Sequence, residues 1–304
     1  MNLIENIQIF TRVAEMSSFT QAAEALNLPK ASVSNAVQQL ESKLETRLLH
    51  RTTRKVQLTQ DGVAFYERSK DLIADADELQ SMFQMPHASS LRGRVRIDMS
   101  SGFMRLVVMP QLPGLIQVHP NLSVEISSTE RIVDLVSEGF DCVLRTGKMH
   151  DTSLIARPVG QLRQINCATP AYMAAHEPLN NLADLAQHQL VHFANTLGAK
   201  SMGFEYVDVD GNNQSLAMKG AVTVNSADVY LSACLAGMGM IQAPYFCVKD
   251  YLKQGIMVQV LPQFNAAPMP VTLLYANRRN LSKRVRVVMD WLVQIVQDYL
   301  NEKD

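Results

Sequence analysis

The segment from Lys30 to Lys43 restricts the fold more than any other, because it carries one apolar stripe and one polar face. Val33, Val37, Leu40 and Leu44 stand four, three and four residues apart, which lines them up on one side of an α-helix. Lys30, Ser32, Ser34, Asn35, Gln38 and Gln39 are left on the other side. Upstream, Leu3, Ile7, Phe10, Val13 and Ala14 recur at helical spacing and predict a first helix. Ser17 and Ser18 break it. Ser18 followed by Gln21 is a capping-box pattern that starts a short second helix carrying Ala22, Ala23 and Leu26. Asn27-Leu28-Pro29 makes a tight turn, with proline where a helix has no N–H bond to lose.

Beyond the third helix, Arg51 to Thr59 alternates. Val56 and Leu58 face one side and Lys55, Gln57 and Thr59 the other, as in a small two-stranded wing. From Gln60 to Gln84 the helical period returns. Phe65, Ser69, Leu72, Ala76, Leu79 and Phe83 are spaced 4-3-4-3-4, the heptad pattern of a coiled-coil seam. Such a stripe pairs with a second copy of the chain or packs on the chain's own C-terminal half. The expected dimerisation residues are Phe65, Leu72, Ala76, Leu79 and Phe83.

Pro86 to Gly93 reads as a hinge. After it, strands alternate with helices. Val95–Met99, Leu122–Ser127 and Cys142–Arg145 are expected strands; Phe103–Val118 and Ile132–Glu138 are expected helices. Alternation of this kind implies parallel sheets in an α/β domain. A final helix carries Val287, Trp291, Ile295 and Tyr299.

The formal net charge of −1 gives the chain no global attraction for nucleic acid. Basic charge is local instead: Lys43, Arg47, Arg51, Arg54 and Lys55 are opposed only by Glu45, although a solvated face of mixed charge has the same composition. Helix, tight turn, helix and basic wing together form a winged helix-turn-helix, whose third helix fits a major groove. Asn35 suits a bidentate contact to adenine and Lys30 a guanine or phosphate, while Ser32 and Ser34 permit close approach. Arg51 and Arg54 would neutralise phosphates, Arg54 from the minor groove.

Here the sequence resembles the LysR-type transcriptional regulators. Phe19–Leu26 looks like their second helix, Val33–Glu41 like their recognition helix, Arg47–Arg54 like their wing and Leu58–Gly62 like the entry to their linker helix. Glu138–Asp141 with Arg145, Ser153–Arg157 and Pro170–Met173 resemble the effector domain of one branch. The resemblance implies a DNA-contacting set of Ser18, Thr20, Lys30, Ala31, Ser32, Ser34, Asn35, Gln38, Arg51, Thr52 and Arg54. It also implies a winged helix-turn-helix over 1–60, a linker helix and hinge over 61–90, and an effector domain over 91–304. That domain would resemble the periplasmic binding proteins, with one lobe from 91–162 and 266–304 and the other from 163–265. The implied partners are operator DNA, a small-molecule effector (an anion is one candidate), a second copy in a homodimer or homotetramer, and RNA polymerase if the regulator activates.

The strand ends supply the expected effector contacts: Ser100, Ser101, Gly102, Thr129, Arg145, Phe193, Asn225 and Ser226. Arg145, at the end of a buried strand, serves equally as an anion contact or as half of a structural ion pair. Three positions depart from the family pattern: Pro29 removes a side-chain cap, Asn35 alters the expected base preference, and Glu45 stands where glycine would relieve a left-handed turn.

Other motifs fail. Asp208–Asn213 begins like a calcium loop, but its twelfth position is Lys219, so a hairpin turn is expected. Gly237-Met238-Gly239 lacks the third glycine of a dinucleotide loop. Neither the seven histidines nor the four scattered cysteines have metal-ligand spacing; the cysteines suit small buried residues in a reducing compartment. No secretory leader or membrane-spanning run is legible, so a cytoplasmic location is expected. No cofactor and no catalytic residue is expected. The rival class is a small-molecule binding protein or enzyme with an incidental helical N-terminus.

Overall fold

A computed structural model describes residues 2–51, 56–81, 91–147, 154–199, 201–276 and 281–301. The chain divides into two compact units: one runs to Arg94 with 119–123 and 282–284, and the other holds the rest.

In the first unit, α1 (Leu3–Met16), α2 (Phe19–Leu26) and α3 (Lys30–Lys43) close on one core. Phe10 and Val13 of α1, Ala22 of α2 and Val33, Ala36, Val37 and Leu40 of α3 are buried there with Leu48 and Leu49. Leu44, expected on the stripe, is 40 % exposed, because α3 ends at Lys43 and the chain turns away. The wing pairs β1 (Leu49–Arg51) with β2 (Val56–Leu58), Leu49 opposite Leu58 and Arg51 opposite Val56. Thr52, Arg54 and Lys55 lie outside the described residues.

α4 (Gln60–Ser81) is 22 residues long, about 33 Å at ~1.5 Å per residue. Its expected seam is split. Phe65 packs edge-on against Phe10 with ring centroids 5.4 Å apart, and Ser69 is buried. Phe65 is half-buried and packs against the winged-helix core, so part of its surface is already used within its own unit. Leu72 and Leu79 are 44 % and 65 % exposed, Ala76 is half-buried, and Phe83 lies outside the described residues. At the helix start, Gly62 is obligatory: a Cβ there would sit 1.9 Å from the Leu48 carbonyl oxygen.

The second unit contains several separate sheets, one in the region expected as the first lobe and the others in the region expected as the second. The first is built on β3 (Arg92–Met99), β4 (Asn121–Ser128), β5 (Cys142–Thr146), β6 (Leu154–Leu162) and a later strand, Met269–Ala276, in the order β4-β3-β5-(269–276)-β6. β3 and β5 are parallel as expected. The late strand is antiparallel to both β5 and β6, because it returns from the other lobe and inserts between them. The sheet is thus mixed, not parallel. After β3 come α5 (Ser101–Phe103), a π-helical turn over Met104–Val108, and α6 (Met109–Val118). Ile132–Glu138 holds only a single turn instead of a helix: the Asp134 carboxylate caps it by accepting the N–H groups of Val136 and Ser137, the Glu138 N–H bonds the Asp134 carbonyl, and Gly139 at φ +73° ends it at once.

The second lobe contains β7 (Gln164–Ala168), α7 (Pro170–Ala174), β8 (His192–Phe193), β9 (Phe204–Val207), β10 (Asn213–Leu216), β11 (Thr223–Val224), α8 (Ala227–Leu235), β12 (Ile241–Pro244), α9 (Tyr245–Lys253) and β13 (Val258–Gln259). The late strand Met269–Ala276 is β14, and α10 (Lys283–Asn301) closes the chain. α10 buries Val285, Val288, Met289, Leu292 and Val296, one position round from the expected Val287, Trp291 and Ile295, which are half-buried. The Asp208–Asn213 segment is a hairpin turn between β9 and β10, as expected. Cys142, Cys167 and Cys234 are buried and Cys247 partly so, all as free thiols; burial pushes the thiols of Cys234 and Cys247 up to about 12.

Two stability predictions follow from local accounting. Glu45 holds φ +52° at the end of α3, where the Thr46 N–H bonds the Glu41 carbonyl and the Glu45 N–H that of Ser42. This Schellman turn suits glycine, so Glu45→Gly should stabilise the winged-helix unit by about 1 kcal/mol; an unchanged or lower melting midpoint would refute the strain. In the second lobe, buried His188 Nδ1 faces the Tyr172 hydroxyl at 3.3 Å and Nε2 the Glu177 carbonyl at 3.1 Å. Tyr172 already accepts the Gln189 N–H, so its proton is left for Nδ1 and the imidazole is neutral. Burial, with His176 nearby, lowers its pKa, while the Glu177 carbonyl and Asp184 oppose the shift. The unfolded chain therefore binds the proton more readily, so this contribution is intact above pH ~6.5 and declines below it. Melting between pH 8 and 5 should show that decline, and His188→Gln, which keeps both bonds without titrating, should flatten it.

Candidate nucleic-acid interface and effector cleft

The core holds α3 by one side and leaves the other bare. Lys30, Ala31, Asn35, Gln38 and Gln39 are exposed, and Ser32 and Ser34 are half-buried. Pro29 is the N-cap and makes no side-chain cap bond, as expected, so the positive end of the helix dipole carries no protein acceptor from that side chain. Ser18 caps α2, its Oγ accepting the Gln21 N–H at 3.3 Å, and Thr20 is exposed on the same helix. One residue of this interface escaped the sequence reading. The Glu41 carboxylate, on the last turns of α3, accepts the N–H groups of Leu48 and Leu49 at 2.9 and 3.1 Å and so ties the wing to the helix. Its only sequence signal is an acidic side chain eight residues ahead of a strand.

In the second unit, Ser100, Ser101 and Gly102 connect β3 to α5 as expected, and Ser226 is the N-cap of α8. Thr129 and Arg145 converge on a residue that the sequence reading passed over. Asp98 is fully buried; the Thr129 hydroxyl lies 3.2 and 3.1 Å from its two oxygens, and the Arg145 guanidinium forms an ion pair with it. Arg145 also donates to the carbonyls of Leu144 and Arg131 at 3.2 and 3.3 Å. Of the two roles open to it, the geometry favours the structural ion pair, because the charge is already matched inside the chain. A carboxylate between the apolar Ile97 and Met99 was the available clue, since a buried charge needs a partner.

The expected anion-holding N–H is also engaged: Ser101 N donates to the Glu130 carboxylate at 3.2 Å. Burial raises the Glu130 pKa, and the Ser101 bond and Arg145 partly offset it. Across the cleft, Arg105 on the π-helical turn approaches Asp228 on the first turn of α8, 3.7 Å away. Gly102 lies against the second lobe, where a Cβ would come 3.1 Å from the Cys247 sulfur. Phe193 is half-buried and packs edge-on against Tyr230 at 5.5 Å; Asn225 is exposed beside Ser226. No group of three or more metal-ligating side chains occurs among the described residues, and no described helix is long and apolar enough to cross a membrane.

A winged helix with an exposed polar face on its third helix, followed in the chain by a larger α/β unit, is the arrangement of a DNA-binding regulator. Comparison agrees. Residues 4–63 match the bacterial regulatory helix-turn-helix model of the LysR family, and residues 88–297 match the LysR substrate-binding domain. The transcriptional regulator YhjC of Escherichia coli K12 is 41 % identical over 99 % of this chain and all of its own length. The activator AaeR of the same organism is 27 % identical over 96 % of this chain and 93 % of its own. Among solved structures, full-length CrgA of Neisseria meningitidis matches with a TM-score of 0.59 at 26 % identity over 97 % of this chain and 98 % of that one. Full-length AphB of Vibrio cholerae gives 0.58 at 26 % identity over 97 % and 99 %. The chain belongs to the LysR family of DNA-binding transcriptional regulators, with an effector-binding domain as its larger part.

If the Asp98–Arg145 pair is structural, Arg145→Met should destabilise the effector domain by about 3 kcal/mol, since it strands a fully buried carboxylate. Asp98→Asn combined with Arg145→Met should recover part of that loss. Urea unfolding decides it: a single-variant cost below about 1 kcal/mol would free Arg145 for a ligand.

Proposed function

We propose that the chain reads operator DNA as a symmetric dimer, with α3 of each copy in the major groove. The observation that carries this reading is the exposed face of Lys30, Ala31, Asn35 and Gln38, flanked by Ser32 and Ser34, on a helix whose opposite face is fully packed. Asn35 reads an adenine edge, and Lys30 meets guanine or phosphate. Thr20, Ser18 and the wing residues Arg51, Thr52 and Arg54 hold the phosphate backbone. The uncapped start of α3 is suited to a phosphate, whose oxygens would take the place of the missing side-chain acceptor.

The exposed Leu72 and Leu79 on α4, with the half-buried Ala76 on the same stripe, are the proposed dimer seam; Phe83, four residues on in the sequence, is the proposed continuation and lies outside the described residues. A twofold dimer implies half-sites of matching symmetry, and pairing of dimers gives the tetramer. Contact with RNA polymerase belongs to this reading if the regulator activates, and its place of action is then the cytoplasm, on the nucleoid. The effector enters the cleft between Ser100–Gly102 and the start of α8 at Asn225 and Ser226, with Phe193 at its side. Arg145 leaves the proposed contact set because Asp98 claims it. An anionic effector would have to take the Ser101 N–H from Glu130.

A gel-shift titration on the promoter beside the chain's own gene tests the DNA reading. Asn35→Ala should weaken specific binding by about 1–3 kcal/mol and leave binding to scrambled DNA unchanged. Arg51→Ala should weaken both and reduce the salt slope by about one. Equal affinity of the unaltered protein for operator and scrambled DNA would sink the proposal.

A further inference from the structure

The helix joining the two halves carries a second ordered face besides its apolar stripe. Glu67, Asp71 and Asp75 follow one another at intervals of four on α4, one acidic row roughly a third of a turn from Leu72 and Leu79. Two arginines distant in sequence grip this row. Arg94, at the base of β3, pairs with Glu67 and donates to Asp71 at 2.9 Å and to the Glu67 carbonyl at 3.3 Å. Arg284, on the first turn of α10, donates to Asp75 at 2.8 Å and, through Nε, to the Arg94 carbonyl at 3.0 Å. The side chains of Arg94 and Arg284 are only 10 % and 7 % exposed, whereas Glu67, Asp71 and Asp75 are 38 %, 31 % and 52 % exposed, so the pairs are shielded from the arginine side.

Their places in the chain give the contacts a role. Arg94 and Arg284 are the last residues of the first unit at two points where the backbone passes to the second, before Val95 and Val285. A third passage is tied nearby, where the Leu91 N–H bonds His119 Nδ1 at 3.2 Å. Arg94 also shares a strand with Asp98, four residues on, about 13 Å away along β3. Asp98 is the buried carboxylate that organises Thr129 and Arg145 beside the cleft. One strand therefore carries the grip on the linker helix at one end and part of the cleft floor at the other.

We propose that Arg94 and Arg284 are positioning residues: an ionic clamp on the acidic row of α4, through which the state of the effector cleft reaches the linker helix. The role assigned to the cleft rests on the proposed effector site; the clamp itself does not. Because Arg94 and Arg284 bind one helix at successive turns, a small displacement of β3 or of the start of α10 shifts which carboxylates are held. That in turn biases the helix that presents the dimer seam.

The test uses the full-length protein. In Arg94→Glu, hydrogen exchange of the 67–75 amides should accelerate about tenfold or more, while exchange in α3 stays as it was. Output from a promoter fusion should change at least about threefold, with operator affinity in a gel shift kept within about twofold. Arg94→Glu with Asp71→Arg should restore both exchange and output. Unchanged exchange in Arg94→Glu would overturn the clamp. Faster exchange with unaltered promoter output, or without rescue by the swap, would reduce the pairs to a structural contact and overturn the coupling. If exchange in α3 also rises, marking a loss of fold, Asp75→Asn replaces the first variant and is held to the same two measurements. Should no promoter DNA bind even the unaltered protein, the regulator reading fails, and the exchange measurement still decides the clamp.

Discussion

A recognition helix has to be gripped firmly on one side and left empty on the other, and the winged-helix unit is arranged around that demand. Val33, Ala36, Val37 and Leu40 lock α3 against α1 and α2. That packing fixes where Lys30 and Asn35 point, because side chains three and four residues apart share a face. The wing is positioned by the same helix: Glu41 supplies the acceptor for two N–H groups at the start of β1. Charge-assisted bonds of this kind are stronger than neutral ones, so the far end of α3 and the first wing strand behave as one piece. The left-handed Glu45 lies between them. Its conformation lets the chain reverse within a few residues, and the strain it accepts is the cost of that sharp reversal.

The effector half is organised by charges that satisfy one another. Asp98 and Arg145, Ser101 and Glu130, and Arg105 and Asp228 each join two elements around the cleft. These pairs differ in consequence. Asp98 is fully buried, so its partner is obligatory and the pair belongs to the floor. Arg105 and Asp228 are about half-exposed and 3.7 Å apart, so their attraction is weak and readily exchanged for contacts with a ligand. Glu130 lies between these limits, held by one backbone N–H and disfavoured as an anion by burial.

Most of the winged helix was legible in the sequence because its periodicities are strong and its turns are marked by Ser18, Asn27 and Pro29. The family resemblance extended that reading to the second half, which periodicity alone could not order. Where the reading missed, long-range contacts had overridden local pattern. Phe65 fits a heptad seam, yet the nearest apolar partner in three dimensions is Phe10 of its own unit. Ile132–Glu138 has helical spacing, but left-handed Gly139 ends it after the one turn that Asp134 caps. β14 lies antiparallel between β5 and β6 because it arrives from the other lobe, which the alternation of elements cannot convey. In α10 two adjacent faces are both apolar, so spacing could not choose between Val287 and Val288. The site shows the same limit. Ser100–Gly102 and Ser226 were marked by strand ends, whereas Glu41, Asp98 and Glu130 matter through partners many residues away.

Seen this way, α4 is the element on which the separate requirements meet. Its N-terminal turns belong to the winged-helix core through Phe65 and depend on Gly62 passing close to the Leu48 carbonyl. Its acidic row is taken by Arg94 and Arg284, and its remaining apolar positions, Leu72 and Leu79, are left uncovered. Each face is thus committed differently: one to the winged-helix core, one to Arg94 and Arg284, and one to solvent. A helix loaded in this way cannot rotate to improve one contact without disturbing the other two. In the proposed coupling, that constraint would let a rearrangement of a few ångströms at one face be felt at another, because packed faces exchange between discrete arrangements instead of deforming continuously.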